Sequence, residues 1–181
     1  MDKTPVCLAV LAHGQPEVLD ESTKLRIERA LELAYGLQWA RVPVRILFMA
    51  GMGKNKVGET MAASMWQYAR TAMKRKGFEV PLFANHKREE VWGTIREMGW
   101  ANQLSRNIPD CRLVFITNKR HGRRVLIINF LFHHIEHCSV EESHDDPPPW
   151  WHEALAYLKI FACLLGLGGQ AKTFRRKSYT D

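Results

Sequence analysis

Short runs of apolar residues alternate along the chain with longer segments whose apolar residues recur every three or four positions. The runs cover residues 6–12, 44–50, 80–84 and 113–116, and few of their residues are polar. Continuous runs rich in Val, Leu, Ile and Phe are typical of strands buried on both faces of a parallel sheet. The pattern therefore predicts four central strands, with a more polar fifth strand at residues 135–140 on an edge of the sheet.

The segments between these runs have the spacing of amphipathic helices. The first segment places an apolar face on one side of a helix that Asp20 or Ser22 can cap, with Arg26 near the edge of that face. Similar spacing predicts helices from about residue 59, over residues 89–104 and over residues 150–165. Strand and helix therefore alternate, as in α/β proteins whose crossovers are right-handed.

This alternation predicts a doubly wound, Rossmann-like α/β fold: a mainly parallel sheet of four or five strands with helices on both faces. We expect a single domain over residues 1–169, followed by a mobile basic tail at residues 170–181. With the strand order 3-2-1-4-5, the first and fourth strands are neighbours, and open α/β sheets bind ligands at such a switch point. His13, Gly14, His121 and Arg124 would then converge on one crevice.

Composition and charge narrow the class of protein. The net charge of +7 favours anionic small ligands or polyanionic partners, nucleic acid included, without choosing between them. The four cysteines form no C-x-x-C pair, which favours reduced thiols in a cytoplasmic protein. No leader pattern precedes residue 6, and the apolar part of residues 154–167 is too short to span a bilayer, so we expect a soluble protein.

Residues 117–124, with the sequence TNKRHGRR, are predicted to form a compact basic loop between the fourth strand and the next helix. The stretch holds four cationic side chains and one histidine. Because the start of a helix offers free N–H groups to an anion, Thr117, Asn118 and Arg124 are candidate ligand-binding residues. A basic turn that only faces water is the alternative interpretation.

A glycine-rich stretch at residues 51–58 is a second candidate anion site. Its glycines do not fit G-x-G-x-x-G, and Glu59 stands where a P-loop requires lysine, so neither phosphate-binding motif is present. The stretch is therefore predicted to be only a turn that leads into the start of a helix. It is either a ligand-binding loop, with Gly51, Gly53, Lys54 and Glu59 as its candidate residues, or a surface turn.

Histidines supply the candidate catalytic chemistry. His13 and His121 are candidate general acids or bases, because histidine titrates near neutral pH. No serine or cysteine lies in a recognisable nucleophile motif. The histidines at residues 133–144 lack the spacing of known zinc enzymes, and no metal site is predicted.

The order of these strands, turns and helices resembles that of the SanA/YdcF/ElyC-like family of bacterial proteins, which have a Rossmann-like domain of unknown function. Residues 6–14 and 26–30 stand where that family has its first strand and an R-x-x-x-A-like helix segment, and residues 50–59 where it has a Ser-Gly-Gly-like turn followed by glutamate. The sharpest match is residues 116–125, which keep the threonine, histidine and arginine of a Val-Thr-Ser-x-Tyr-His-Met-x-Arg-Ala-like stretch. Residues 85–94 do not reproduce the family's polar run.

The resemblance implies a pocket for a nucleotide-type ligand, S-adenosylmethionine included, and no settled reaction. The leading hypothesis is therefore a protein that binds a small, anionic, nucleotide-like ligand beside strands one and four. The first alternative is a hydrolase or transferase that acts on a nucleotide or phosphoester, with His13 or His121 as acid or base. The second alternative is a nucleic-acid-binding protein. The sequence leaves the ligand and the oligomeric state open.

Overall fold

The structure is a computed structural model that describes residues 4–12, 19–49, 60–84, 93–144 and 149–165. The chain divides into two compact units, Met1–Asp146 and Pro147–Asp181. The described part of the first unit contains a β-sheet and four α-helices. The described part of the second unit is one helix with a short segment at either end. The predicted extent of a single domain, residues 1–169, stays a prediction, and the basic tail lies outside the described residues.

The first unit is built on a five-stranded parallel sheet. Its strands are β1 (Val6–Leu11), β2 (Val44–Met49), β3 (Leu82–Ala84), β4 (Arg112–Thr117) and β5 (Cys138–Glu142). They are arranged in the order β3-β2-β1-β4-β5, and every neighbouring pair is parallel. The predicted fold class is confirmed, and the observed strand order is the Rossmann-like one that the sequence analysis assumed. The edge strand β5 begins three residues later than the predicted start at residue 135.

Two pairs of helices cover the sheet. Helices α1 (Glu21–Trp39) and α2 (Met61–Lys76) contact each other, as do α3 (Gly93–Ser105) and α4 (Lys119–Ile128). Alternate residues of β1 point to opposite faces. One set, with Leu8 at its centre, belongs to the core beneath α1 and α2. The other set is equally buried, on the side where α3 and α4 contact the sheet.

Polar side chains fix the starts of these helices. Asp20 caps α1 by accepting a hydrogen bond from the backbone N–H of Thr23 at 2.7 Å, as the sequence predicted. Thr60 caps α2 by accepting from the N–H of Ala63 at 3.3 Å. Such caps satisfy N–H groups that have no partner within the helix. They therefore determine where α1 and α2 begin.

The prediction that residues 117–124 form a loop is wrong. Helix α4 begins at Lys119, so that the connection from β4 is reduced to Asn118. The Asn118 side chain accepts a hydrogen bond from the N–H of His121 at 2.8 Å, and this cap starts the helix at once. The cationic residues are therefore arrayed on the first turns of a rigid helix. A π-helical segment, Asn129–His133, follows α4.

The second unit contains α5 (Trp150–Leu164), close to the predicted bounds of the last helix. Pro149 precedes it, in keeping with the preference of proline for helix starts. In the part of the chain that the structure describes, no helix has the length and apolar character needed to cross a bilayer.

Candidate functional site

The carboxyl ends of β1 and β4 lie side by side at the switch point of the sheet. These strands are paired in register, with Val10 beside Ile116. The chain leaves β1 towards α1 and leaves β4 towards α4, and these helices lie on opposite faces. In open α/β sheets, ligands usually bind at such a point, where the connections from two neighbouring strands lead to opposite faces. The predicted adjacency of the first and fourth strands is thus observed, whereas the turn after β1 lies outside the described residues.

At this edge, His121 is held between two threonine hydroxyl groups. Its Nδ1 lies 3.0 Å from Oγ1 of Thr117, the last residue of β4. Its Nε2 lies 2.9 Å from Oγ1 of Thr94, in the first turn of α3. A neutral imidazole has one N–H donor and one acceptor nitrogen, and a hydroxyl can serve either. The imidazole is buried and its orientation is fixed from both sides.

The backbone around His121 is equally constrained. The carbonyl oxygen of Thr117 accepts a hydrogen bond from the N–H of Ser143, just beyond β5, at 2.9 Å. Gly122 packs so closely on β5 that a Cβ atom there would lie 2.7 Å from Cγ1 of Val140. Glycine therefore lets the first turn of α4 press against the sheet. This close packing restrains the position of His121.

Four cationic side chains lie on the first six residues of α4. Lys119, Arg120 and Arg123 are exposed, and Arg124 is half-buried one turn beyond His121. Helix α4, which is described throughout, has no acidic residue in its first turn. The amino end of a helix carries partial positive charge, so cations there are unfavourable unless an anion is nearby. This concentration of positive charge suits an anionic ligand.

Arg26 is a buried cation that the sequence analysis placed only near the edge of a helix face. It is fully buried, and its Nη1 donates a hydrogen bond to the carbonyl oxygen of Leu11, the last residue of β1, at 3.0 Å. The sequence contains a signal for this burial, because residues 23, 26, 27, 30, 31 and 34 have the spacing of one helical stripe. All six are buried in the structure. Arg26 thus belongs to the same edge of the sheet as His121.

The predicted site residues fall into two groups. The structure brings together Thr117, Asn118 and His121 at the start of α4, and it places Arg124 on the same helix. The remaining candidates lie outside the described residues: His13, Gly14, Gly51, Gly53, Lys54 and Glu59. Sequence reasoning did not predict the role of Thr94, because its contact with His121 spans 27 positions of the chain.

His133, one of the histidines after α4, has a hydrogen-bond partner in α3. Nε2 of His133 lies 2.6 Å from the carbonyl oxygen of Ile95, so this imidazole ties the π-helical segment to α3. Among the described residues, no three His, Cys, Asp or Glu side chains come together in a way that could hold a metal ion.

A cavity of about 490 Å³ lies away from these residues, with Glu28 of α1 and Tyr68 of α2 in its lining. The Tyr68 hydroxyl donates to the Glu28 carboxylate at 3.2 Å, and the ammonium group of Lys76 lies 2.7 Å from the same carboxylate. Burial, together with the nearby Glu28 charge, raises the pKa of Tyr68. These polar groups satisfy one another and link two helices.

Fold and site together define a Rossmann-like α/β protein with a rigid, cation-rich strand-to-helix junction at its switch point. Comparisons with protein-family models, with curated proteins and with solved structures find no match to this chain.

Proposed function

We propose that this protein binds a nucleotide-like anionic ligand in the crevice at the carboxyl ends of β1 and β4. One observation carries the proposal: α4 begins at the switch point with four cationic side chains among its first six residues and no acidic residue in its first turn. The resemblance to the SanA/YdcF/ElyC-like family supports a ligand of this type and adds S-adenosylmethionine to those to be tested.

Electrostatics favour an anionic group on the ligand. Each cation at the amino end of a helix opposes the helix dipole, at a cost of about 0.3–1 kcal/mol where the site is exposed. A phosphate or carboxylate at the start of α4 would reverse that balance, because it attracts both the cations and the free N–H groups.

Different residues of the junction would contact different parts of the ligand. Arg124 would pair with the phosphate or carboxylate, since a guanidinium can donate two parallel hydrogen bonds to such a group. A hydrogen bond to a charged group contributes about 1.5–3 kcal/mol. His121, Thr117 and Asn118 would line the ligand's path along the first turn of α4.

The segments that follow β1 and β2, which lie largely outside the described residues, would complete the proposed site. Both leave the same edge of the sheet as the start of α4, because the strands are parallel neighbours. The sequence places His13 and Gly14 in the first segment. In the second it places Gly51, Gly53, Lys54 and Glu59, immediately before the α2 cap at Thr60. Backbone approach at the glycines and charge at Lys54 would serve an anionic ligand.

Calorimetric titration with adenine nucleotides and S-adenosylmethionine tests the proposal. Arg124→Ala should weaken binding of the preferred ligand roughly tenfold to a hundredfold. Arg123→Ala is the matched control, because it removes an exposed guanidinium from the same helix and changes the net charge equally. An equal loss in both variants would indicate unspecific charge attraction. Absence of binding to every ligand tested would reject the proposal.

An enzymatic role for His121 is the second candidate, and its hydrogen-bonded chain to Thr94 and Thr117 is the observation that favours it. Hydroxyl groups on both ring nitrogens can relay a proton to and from the imidazole. The Thr94 hydroxyl also occupies Nε2, so a substrate would have to displace this hydroxyl or exchange protons through it. Hydrolysis of nucleotides or phosphoesters that is lost in His121→Asn would support this role.

Nucleic-acid binding is favoured less by the arrangement of charge. The cations at the start of α4 lie at the carboxyl edge of the sheet. The basic end of α2, Lys74 to Lys76, precedes β3 and lies at the opposite edge. These two groups do not form one continuous basic surface. Binding to oligonucleotides with a steep loss of affinity in salt would favour this alternative nonetheless.

A further inference from the structure

Two cysteines from distant parts of the chain meet at the amino edge of the sheet, opposite the proposed ligand site. Cys7 is the second residue of β1, and Cys111 directly precedes β4. Their sulfur atoms lie 2.9 Å apart. A disulfide bond is about 2.05 Å long, so the two sulfur atoms are roughly 0.9 Å farther apart than bonded ones. Both are free thiols in the structure.

The two thiols differ in burial and in pKa. Cys7 is fully buried, whereas Cys111 is half-buried. A hydrogen bond from the Cys7 thiol, with help from the charge of Arg45, lowers the pKa of Cys111 against the effect of burial. The same hydrogen bond, together with burial, raises the pKa of Cys7. Cys111 is the more accessible of the two thiols and has the lower pKa, so it is better suited than Cys7 to react as a thiolate.

We propose that Cys7 and Cys111 are a redox-active pair that peroxide converts into a reversible intramolecular disulfide. The proposal rests on the contact between the two sulfur atoms and on the accessibility of Cys111. It is independent of the ligand proposed for the other edge of the sheet. Oxidation would link β1 covalently to β4, the two central strands whose far ends flank that ligand site.

The chemistry takes two steps with hydrogen peroxide as the oxidant. The Cys111 thiolate attacks one peroxide oxygen, the O–O bond breaks, and the hydroxide that leaves takes up a proton to become water. The resulting sulfenic acid is then attacked by the sulfur of Cys7. The S–S bond forms, the S–O bond breaks, and the hydroxyl group leaves with the Cys7 proton as a second water. Two thiols have then lost two electrons to the peroxide, and a dithiol reductant reverses the change.

The remaining cysteine of the sheet does not compete for Cys7. Cys138 lies beside Leu113 in β5, and Leu113 lies beside Cys7, so that Cys7 and Cys138 are two strands apart. Strands are spaced about 4.8 Å apart, which puts these cysteines at roughly 9.6 Å, beyond the reach of a disulfide without backbone movement. Burial also raises the pKa of Cys138 to about 11.

Peptide mapping by mass spectrometry after brief exposure of the reduced full chain to hydrogen peroxide tests the proposal. We expect a peptide pair joined through Cys7 and Cys111, a loss of two hydrogen atoms from the intact mass, and recovery of both thiols with dithiothreitol. Cys138→Ala, the matched control, should give the same bridge. Persistence of both free thiols in peroxide, or bridges that join other cysteines or two molecules, would overturn the proposal.

Two variants test the assigned roles. In Cys7→Ala, peroxide should leave a sulfenic acid on Cys111 that dimedone traps, because the resolving thiol is absent. Arg45→Gln should slow alkylation of Cys111 by iodoacetamide near neutral pH several-fold, since less of the thiol is ionised. Dimedone labelling of wild-type protein equal to that of Cys7→Ala, or an unchanged alkylation rate in Arg45→Gln, would count against these roles.

Discussion

The Thr94 hydroxyl lies 2.9 Å from Nε2 of His121, and this contact joins the first turn of α3 to the first turn of α4. The two helices follow different strands, β3 and β4, yet they meet at the carboxyl edge of the sheet. The imidazole is therefore positioned by the tertiary fold as well as by its own helix. This arrangement makes the candidate site sensitive to residues that are distant in sequence.

Thr94→Val tests how much this hydrogen bond contributes to stability. Valine keeps the shape of threonine but cannot hydrogen-bond to Nε2 of His121. We expect the free energy of unfolding, measured by urea denaturation, to fall by about 1–2 kcal/mol, because the ring nitrogen lies in a buried side chain. Thr94→Ser keeps the hydroxyl and is the control. Equal stability of the two variants would mean that the contact contributes little.

Gly122→Ala tests the close packing between α4 and β5. The new Cβ would lie 2.7 Å from Cγ1 of Val140. Valine is β-branched and its χ1 angle is restricted, so it cannot easily move aside. We expect a loss of about 1–3 kcal/mol in the free energy of unfolding.

A double-mutant cycle identifies the cause of that loss. Val140→Ala removes the methyl group that the new Cβ would meet, so the double variant should lose less stability than the sum of the single changes. Strict additivity would show that the cost of Gly122→Ala arises elsewhere in the first turn of α4.

Substitutions of Asn118 separate helix capping from ligand binding. Asn118→Ala removes the side chain that accepts from the N–H of His121, and should cost about 1 kcal/mol of stability. Asn118→Asp keeps a good cap and should preserve stability, but it puts a negative charge at the start of α4. Calorimetry should therefore show weaker binding of an anionic ligand to Asn118→Asp. Unchanged affinity in this variant would argue against an anion at this position.

The sequence predicted the sheet well because its strands are continuous apolar runs. Residues 6–11 and 113–117 are buried without interruption, so no alternation could be mistaken for a surface strand. The strand order was assumed to be the common Rossmann-like one, which is compatible with right-handed crossovers and has a switch point between the first and fourth strands. Buried hydrophobic side chains and simple topology were therefore sufficient for the fold.

Residues 119–124 were predicted incorrectly because six consecutive residues carry no apolar periodicity. Arginine and lysine have good intrinsic helix propensity, and Asn118 is a strong cap, but a cluster of charges also resembles a loop. The helix forms because the chain must cross from β4 to the parallel strand β5, and a helical crossover is the usual means. In this region the tertiary topology outweighed the local pattern.

The site was only partly predictable for a related reason. Thr117, Asn118 and His121 were identified because they lie together in the sequence, directly after a strand. Thr94 comes from α3, and no spacing in the sequence connects it with His121. Arg26 followed the helical stripe of α1, but its charge led to an expected position at the edge of that stripe. Long-range side-chain contacts need the assembled fold before they can be identified.

The half-buried thiol of Cys138 should make stability depend on pH in the alkaline range. Burial raises its pKa from 9.0 to about 11 in the folded protein. The unfolded chain therefore releases this proton first, so the contribution of Cys138 to stability is complete below pH 9.0 and is lost as the pH rises towards 11. The loss should be about 1 kcal/mol, since solvent reaches the half-buried side chain and weakens the effect. Urea unfolding at both ends of this range should show a steeper alkaline decline for wild type than for Cys138→Ala, whereas parallel curves would mean that other groups cause the decline.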